Sequence, residues 1–558
     1  MDTKVAHAQT DIELLWRRMI NSVDEAATTL VRTSFSTVVR DFHDYACAIF
    51  DRKGRLLAQS TQSTPGLLGI LPYTIPNFLL DQDFQAAQDG DVFVTNDPWL
   101  ASGHLIDVTV ARPVFREGIL VGYVLVVVHH LNMGGRIATL ESRNVFEEGL
   151  KIPITRLYHR GEPSKIAFDF IRANVLEADK VIGDVRAQVA ACHAAARRLL
   201  DTLTELNETD LVPVGDEIIH RSAASMRAAI AELPKGTYRS EMTLHDIAGH
   251  PDPLTLKLAV HIKDGEIELD YEGTSDQIAR AVNVTLNMTR SYSAYPIKCL
   301  LDPTVPNNAG CLAPLVIKAP EGSVLNAMFP APTWGRTTIA HMLPELIMQC
   351  MAKAIPDRVL AGSGSTPLWY GSFSGRYASG KSFYMVVTFT GGLGARGTRD
   401  GVSCVSYPAN VASIPIETVE ADSPLLFEMK EFAENSAGPG RFRGGFGQRV
   451  SIRVRPDAEL TGPLIASIRG GRFGVPIYGV LGGQPGPEPI ARLNDRDVQM
   501  GVQMELKPGD LMTLQLPGGG GYGDAAGREI EAIRADIRSG LLSEAQAEQV
   551  YGRADQLS

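Results

Sequence analysis

The sequence predicts an α+β protein of several domains, in which mixed and antiparallel sheets are flanked by long helices and a largely β C-terminal region ends in a short helical tail. Three observations predict this class. Helical periodicities over residues 12–31 and 174–208 bracket a series of short apolar runs separated by turn signals. From about Arg376 to Gly523 the chain is glycine-rich and alternating, the pattern of strands joined by tight turns. The 558 residues exceed the roughly 250–300 at which a single core stops growing. Boundaries are expected to give an N-terminal α+β domain (1–210), an α+β middle domain (211–375), a mainly β domain (376–525) and a helical tail (526–558).

The first element rests on Ile12, Leu15, Trp16, Met19, Ile20, Val23, Ala26, Ala27, Leu30 and Val31, which recur at intervals of three and four and so form one face of a helix. Asp44–Asp51 and Arg55–Gln59 are short apolar runs about Lys53-Gly54, a hairpin with Asp44 at its entry. Gly90–Asn96 reads as a strand stopped by Asn96-Asp97-Pro98, because Asn and Asp bond their own backbone and proline fixes its φ. Val108–Phe115 and Leu120–Val128 pair about Glu117-Gly118, and the second run, apolar at nearly every position, is expected to be buried on both faces. Helices follow at Asn174–Glu208 and Ile218–Leu233, then strands at Thr243–Ile247, Leu254–Val260 and Glu266–Tyr271. In the glycine-rich region Tyr384–Phe389, Val450–Val454 and Met512–Leu516 are the expected strands. Arg528–Arg538 is helical, Gly540 suits a C-terminal stop, and Ser543 can cap a last helix through Val550.

Composition excludes several classes. A net charge of −11 repels a phosphate backbone or an anionic membrane, and no basic patch or nucleic-acid motif reverses it. The longest apolar stretch, Ile119–Val128, falls short of the roughly 20 residues of a membrane helix. Met1-Asp-Thr-Lys4 lacks the apolar core of a signal peptide, and six scattered cysteines without a CxxC pair read as reduced thiols, so a cytoplasmic protein is expected. No GxxxxGK[ST] loop occurs, and Gly518–Gly521 lacks the Lys-Ser or Lys-Thr of a phosphate site; such glycines permit close backbone approach instead.

The chemistry concentrates in one place. His104 and Asp107 are three apart, and His129-His130 ends the strand that pairs back towards them. Imidazole and carboxylate donors suit zinc or manganese, and also iron or cobalt, and an open position on such an ion polarises a carbonyl or activates water. Asp44 is the natural fourth candidate. By spacing alone a hydrogen-bonded core pair is the commoner explanation of two histidines after an apolar strand, because HxxD lacks the selectivity of HExxH.

Gly90–Pro98 followed by Gly103–Val108 closely resembles the B subunit of N-methylhydantoinases and the matching half of 5-oxoprolinases. Asp44–Asp51, Glu148–Pro153, Pro306–Gly310, Pro320–Asn326, Gly438–Gly445 and Pro517–Asp524 extend the resemblance over nearly the whole chain. It implies a metal held by Asp44, His104, Asp107 and His129, and ATP with Mg bound by a separate hydantoinase A-like subunit in a hetero-oligomer such as a dimer of heterodimers. The implied activity is ATP-dependent opening of a hydantoin, 5-oxoproline-like or other lactam ring. Ketone carboxylation of the acetone or acetophenone carboxylase type is the alternative, and a further one is a non-catalytic structural subunit. His130 is a candidate to orient a ligand or touch substrate, against a buried histidine bonded to backbone. Glu148 is a candidate to line the same cleft, against a solvated loop glutamate. Asn132 stands where the family commonly has Asp and cannot act as a base.

Overall fold

The computed structural model describes residues 9–136 and 139–552; the polar start read at Met1–Lys4 lies outside them. The opening helix Gln9–Thr33 buries the three-and-four face from Ile12 to Leu30 against a seven-stranded sheet and against the long helix Ala178–Glu205. That sheet comprises β1 (Tyr45–Asp51), β2 (Leu56–Gln59), β3 (Val92–Thr95), β4 (Asp107–Arg116), β5 (Ile119–His129), β6 (Thr155–His159) and β7 (Glu162–Pro163). Its order is β2-β1-β5-β4-β3-β6-β7, and every neighbouring pair is antiparallel. As expected for an apolar run, β5 is central and buried from Val121 to Val128. Gln188 of the long helix donates its side-chain amide to the carbonyls of Val108 and Val126, tying that helix to the sheet.

A second, mixed sheet of order β11-β10-β9-β8 uses β8 (Gly236–Leu244), β9 (Leu254–Ile262), β10 (Ile267–Asp270) and β11 (Leu315–Lys318), with β10 and β11 parallel. The remaining strands are β12 (Trp369–Arg376), β13 (Ser382–Phe389), β14 (Leu425–Phe432), β15 (Gln448–Val454), β16 (Leu464–Arg469), β17 (Ile490–Leu493), β18 (Arg496–Asp497), β19 (Met504–Leu506) and β20 (Leu511–Gln515). They form a sheet β13-β12-β16-β19 and a sheet β14-β15-β20-β17-β18. The α+β class therefore stands.

Several boundaries differ from the sequence reading. The strand expected at Thr243–Ile247 is Gly236–Leu244, whose first half is largely exposed and so carries no apolar signal. The helix expected from Ile218 begins at Val212, with Pro213 in its first turn, where a missing N–H costs nothing. The helix expected from Asn174 begins at Ala178, because a separate helix, Lys165–Asn174, ends in extended Val175 and left-handed Glu177. The helix Leu286–Leu301 was not visible in the sequence: it is buried on most sides and contains Pro296, which hides its period.

The tail follows the expected pattern. Helices Ile530–Arg538 and Glu544–Tyr551 are separated by Gly540 at φ 68°, and the Ser543 hydroxyl accepts from Gln546 N. Asp536 anchors the tail to the body through Arg443, at 2.9 and 3.0 Å. Gly518–Gly521 form no phosphate loop. Their backbones bond to Ser436, Gly445, Gly362 and Gln484, and a Cβ on Gly519 would lie 2.1 Å from the Leu393 carbonyl oxygen.

Candidate metal centre

Strand register assembles the site. Asp107, the first residue of β4, stands opposite His129, the last of β5, and the His129 amide donates to the carbonyl of Asp44 just before β1. Three adjacent strands thus bring Asp44, Asp107 and His129 to one edge. His104 comes from the loop entering β4, closed by a bond from Asp107 N to His104 O at 3.4 Å. One ligand atom each from His104, Asp107 and His129 lies within 4.8 Å of the others.

The hydrogen bonds define the state of His104. Its Nδ1 lies 3.1 Å from the carbonyl oxygen of Trp334, which can only accept, so Nδ1 carries the proton. Burial, reinforced by Arg336, lowers the His104 pKa to about 3, so the ring is neutral and Nε2 presents a lone pair. Nε2 lies 2.7 Å from Asp107 Oδ1. Asp107 is a carboxylate: His104 and Arg336 hold its pKa far below the ordinary value in spite of burial. The ring nitrogen and the carboxylate oxygen are both donor atoms of the kind that a divalent cation takes.

The surroundings support the same arrangement. His129 Nδ1 is 2.8 Å from Asp107 Oδ1 and 3.8 Å from Asp44 Oδ2. Asp44 keeps 26% of its side chain open to the pocket, yet the protein around it excludes enough solvent to raise its pKa. Arg336 Nη2 donates to Asp107 Oδ2 at 2.7 Å.

The other two candidates are placed differently. His130 borders the pocket, but its Nε2 donates to Gln188 Oε1 at 2.9 Å, and its buried Nδ1 has no partner. Glu148, 1% exposed, does not border the pocket: its two oxygens accept the amides of Thr333 at 3.0 Å and Trp334 at 2.9 Å. It thereby holds the segment that brings the Trp334 carbonyl to His104 and Arg336 to Asp107. Asn132 also faces away: its amide donates to Leu176 O and accepts from Leu176 N, both at 2.8 Å, a pairing an ionised Asp could not complete.

Four contributors were not found from the sequence: Arg336, Tyr292, His341 and Arg469. The Leu368 amide donates to His341 Nδ1 at 3.2 Å, so the His341 proton sits on Nε2, 2.9 Å from the Tyr292 oxygen. Tyr292 accepts that bond, which leaves its own proton free to point into the pocket that it lines. Gly66 admits the hydroxyl, since a Cβ there would lie 2.8 Å from it. Nothing in the local spacing marks these residues; the only trace is the small, turn-rich Pro332-Thr-Trp-Gly-Arg336 segment.

A sheet edge that brings His, Asp and His donors together at a pocket is a candidate metal centre. The pattern of the hydantoinase B/oxoprolinase family matches residues 9–525, and the chain belongs to that family. It is 28% identical to a protein named as the B component of a D-/L-hydantoinase of Pseudomonas sp. (strain NS671), over 97% of this chain and 94% of that one. It is 27% identical to the beta component of caprolactamase of Pseudomonas jessenii, over 95% and 93%. To 5-oxoprolinase PfmaA of Pestalotiopsis fici it is 28% identical over 94% of this chain but 42% of that longer protein. The structure of the ATP-dependent caprolactamase from Pseudomonas jessenii superposes with a TM-score of 0.89 at 24% identity, covering 98% and 96% of the two chains. Nucleotide-free acetone carboxylase gives 0.85 at 18%, covering 97% and 79%. At these identities the likeness is one of fold. Among the described residues no helix is long and apolar enough to cross a membrane.

Proposed function

We propose that this chain is the metal-binding B-type subunit of a cytoplasmic, ATP-dependent amidohydrolase that opens a hydantoin, 5-oxoproline-like or other lactam ring, with ATP held by a separate A-type subunit. The observation that carries the metal reading is the convergence of one donor atom each from His104, Asp107 and His129 within 4.8 Å, at the joined ends of two paired strands and the loop before them. Relatives named for lactam and hydantoin chemistry, matched over more than nine-tenths of both chains, support the reaction class.

In this reading His104, Asp107, His129 and Asp44 hold zinc or manganese, with iron or cobalt also suited to the donor set. A divalent ion in that position supplies polarisation of a carbonyl oxygen or acidification of water. Arg336 fixes the second oxygen of Asp107, so the carboxylate presents one oxygen to the centre. Tyr292, its oxygen occupied by His341, offers its proton to the oxygen on which charge develops as the ring amide is attacked. His130 and Glu148 serve as positioning residues: the first secures the end of β5 through Gln188, the second secures the 333–336 segment.

The test is to co-purify the chain with its A-type partner, measure bound metal, and assay ATP turnover with hydantoins, 5-oxoproline, larger lactams and aryl ketones, with and without bicarbonate. Stoichiometric metal and turnover stimulated by a cyclic amide are expected. Stimulation only by a ketone with bicarbonate would replace this reading with ketone carboxylation, and an absence of metal and turnover would leave a structural subunit.

A further inference from the structure

Two buried guanidinium groups outside the pocket are held by carboxylates. Arg472, buried, pairs with Glu345 through both nitrogens and also donates to the carbonyls of Ser363 and Pro476. Arg528, equally buried, is held by Asp400 and Asp536. Arg469, which lines the pocket, differs from these. It is 8% exposed, yet among the described residues none of its N–H groups makes a hydrogen bond and no carboxylate lies within ion-pair distance. An unpaired buried cation is costly, and a fold that tolerates one in a pocket reserves it for a ligand.

Strand pairing aims the group. Arg469 ends β16 opposite Tyr370 of β12, and its guanidinium carbon lies 4.7 Å from the Tyr370 ring and 4.1 Å from that of Trp334. Stacking occupies the faces of the planar cation and leaves its N–H edge free. Arg469 lines the same pocket as His104, Asp107 and His129, on the wall contributed by the β13-β12-β16-β19 sheet. Trp334 couples the two walls, with its ring against Arg469 and its carbonyl on His104 Nδ1.

We propose that Arg469 is a specificity-determining anchor for a carboxylate carried by the substrate, so that the preferred substrate class is a cyclic amide with an ionised acid group on the ring or its substituent. This rests on the preceding reading of the pocket as a substrate site. A single guanidinium edge offers two parallel N–H groups, the geometry of a two-oxygen carboxylate; a phosphoryl group, with three oxygens and a larger charge, calls for more donors than Arg469 alone supplies.

The probes are 5-oxoproline and 2-pyrrolidone, the same ring with and without the carboxylate, together with inorganic phosphate. Each is titrated calorimetrically into the metal-loaded complex of the full chain and its partner. The acid is expected to bind tighter than the neutral ring by about tenfold or more. In Arg469→Gln that ratio falls close to one, and Arg469→Lys, which keeps charge but loses the planar edge, restores only part of it. Bound metal, measured in each variant, verifies that the site is formed; the wild-type probe pair decides the question even where a variant does not fold. Equal binding of acid and neutral ring, no measurable binding of the acid, or a ratio that survives Arg469→Gln overturns the proposal. So does phosphate binding tighter than 5-oxoproline and lost in Arg469→Gln. Because binding needs no turnover, an Arg469-dependent preference without lactam-stimulated ATP hydrolysis defeats the hydrolase reading alone, whereas lactam turnover without that preference defeats the anchor alone.

Discussion

Replacing Glu148 by Gln tests whether a buried carboxyl outside the pocket governs the geometry inside it. Burial raises the Glu148 pKa from an ordinary 4.5 to about 8, against the opposing pull of the Thr333 and Trp334 amides. At about 1.4 kcal/mol per pH unit, a shift of that size is worth on the order of 5 kcal/mol, an upper figure because denatured-state structure and local relaxation reduce it. The sign follows from linkage: a carboxyl whose folded pKa is raised binds its proton more tightly when folded. Its contribution is fully present below pH 4.5 and is lost as pH rises through about 8. Wild type and Glu148→Gln share every other titrating group, so the difference between their urea midpoints isolates this one. Between about pH 5 and pH 9 the variant should gain on wild type by several kcal/mol. Gln can accept only one of the two amides, so the 333–336 segment should loosen and metal affinity fall by about tenfold, measured by competition with a chelator. A stability difference that does not change over that pH interval would refute the argument, because it would mean that the two amides hold Glu148 ionised with an ordinary pKa.

Other expectations concern the centre itself. His104→Ala and Asp107→Ala should purify with little bound metal by elemental analysis, whereas Asp44→Asn, farther from the triad, should weaken binding by about tenfold without abolishing it; full occupancy in both alanine variants would remove these residues from the ligand set. Tyr292→Phe should keep the metal and lower kcat of the partnered complex by about 10- to 100-fold with little change in KM, since it removes one donor to a developing charge; an unchanged kcat would restrict Tyr292 to a packing role. Glu345→Gln leaves Arg472 buried with half of its pairing and should destabilise the protein by about 3 kcal/mol in denaturant titrations; a loss below about 0.5 kcal/mol would mean that the Ser363 and Pro476 carbonyls suffice.

Much of the centre is legible in the sequence because its protein donors sit at ends of local elements. Asp44 precedes β1, His104 and Asp107 flank the entry of β4, and His129 closes an apolar run too regular to be anything but a buried strand. Residue type then states the chemistry, since His and Asp at strand ends are poor core residues and good ligands. His130 and Glu148 show where such reasoning stops. Both are polar and adjacent to the right motifs, yet burial directs one to Gln188 and the other to backbone amides of residues 333 and 334.

The sequence by itself determined the α+β class, the antiparallel hairpins of the first sheet, the capped tail and the donor types at its candidate centre, because periodicity, turn residues and caps act over a few residues. Only the tertiary structure decided which groups meet. Arg336 reaches Asp107 across 229 positions, and Trp334 reaches His104 across 230. Arg469 enters from another sheet altogether. Contacts at that separation depend on how sheets and helices pack against one another, and side-chain packing leaves no period in the chain. The same cause makes Arg469 conspicuous only in the fold: an arginine in a sequence is unremarked, whereas one buried without an anion calls for a ligand.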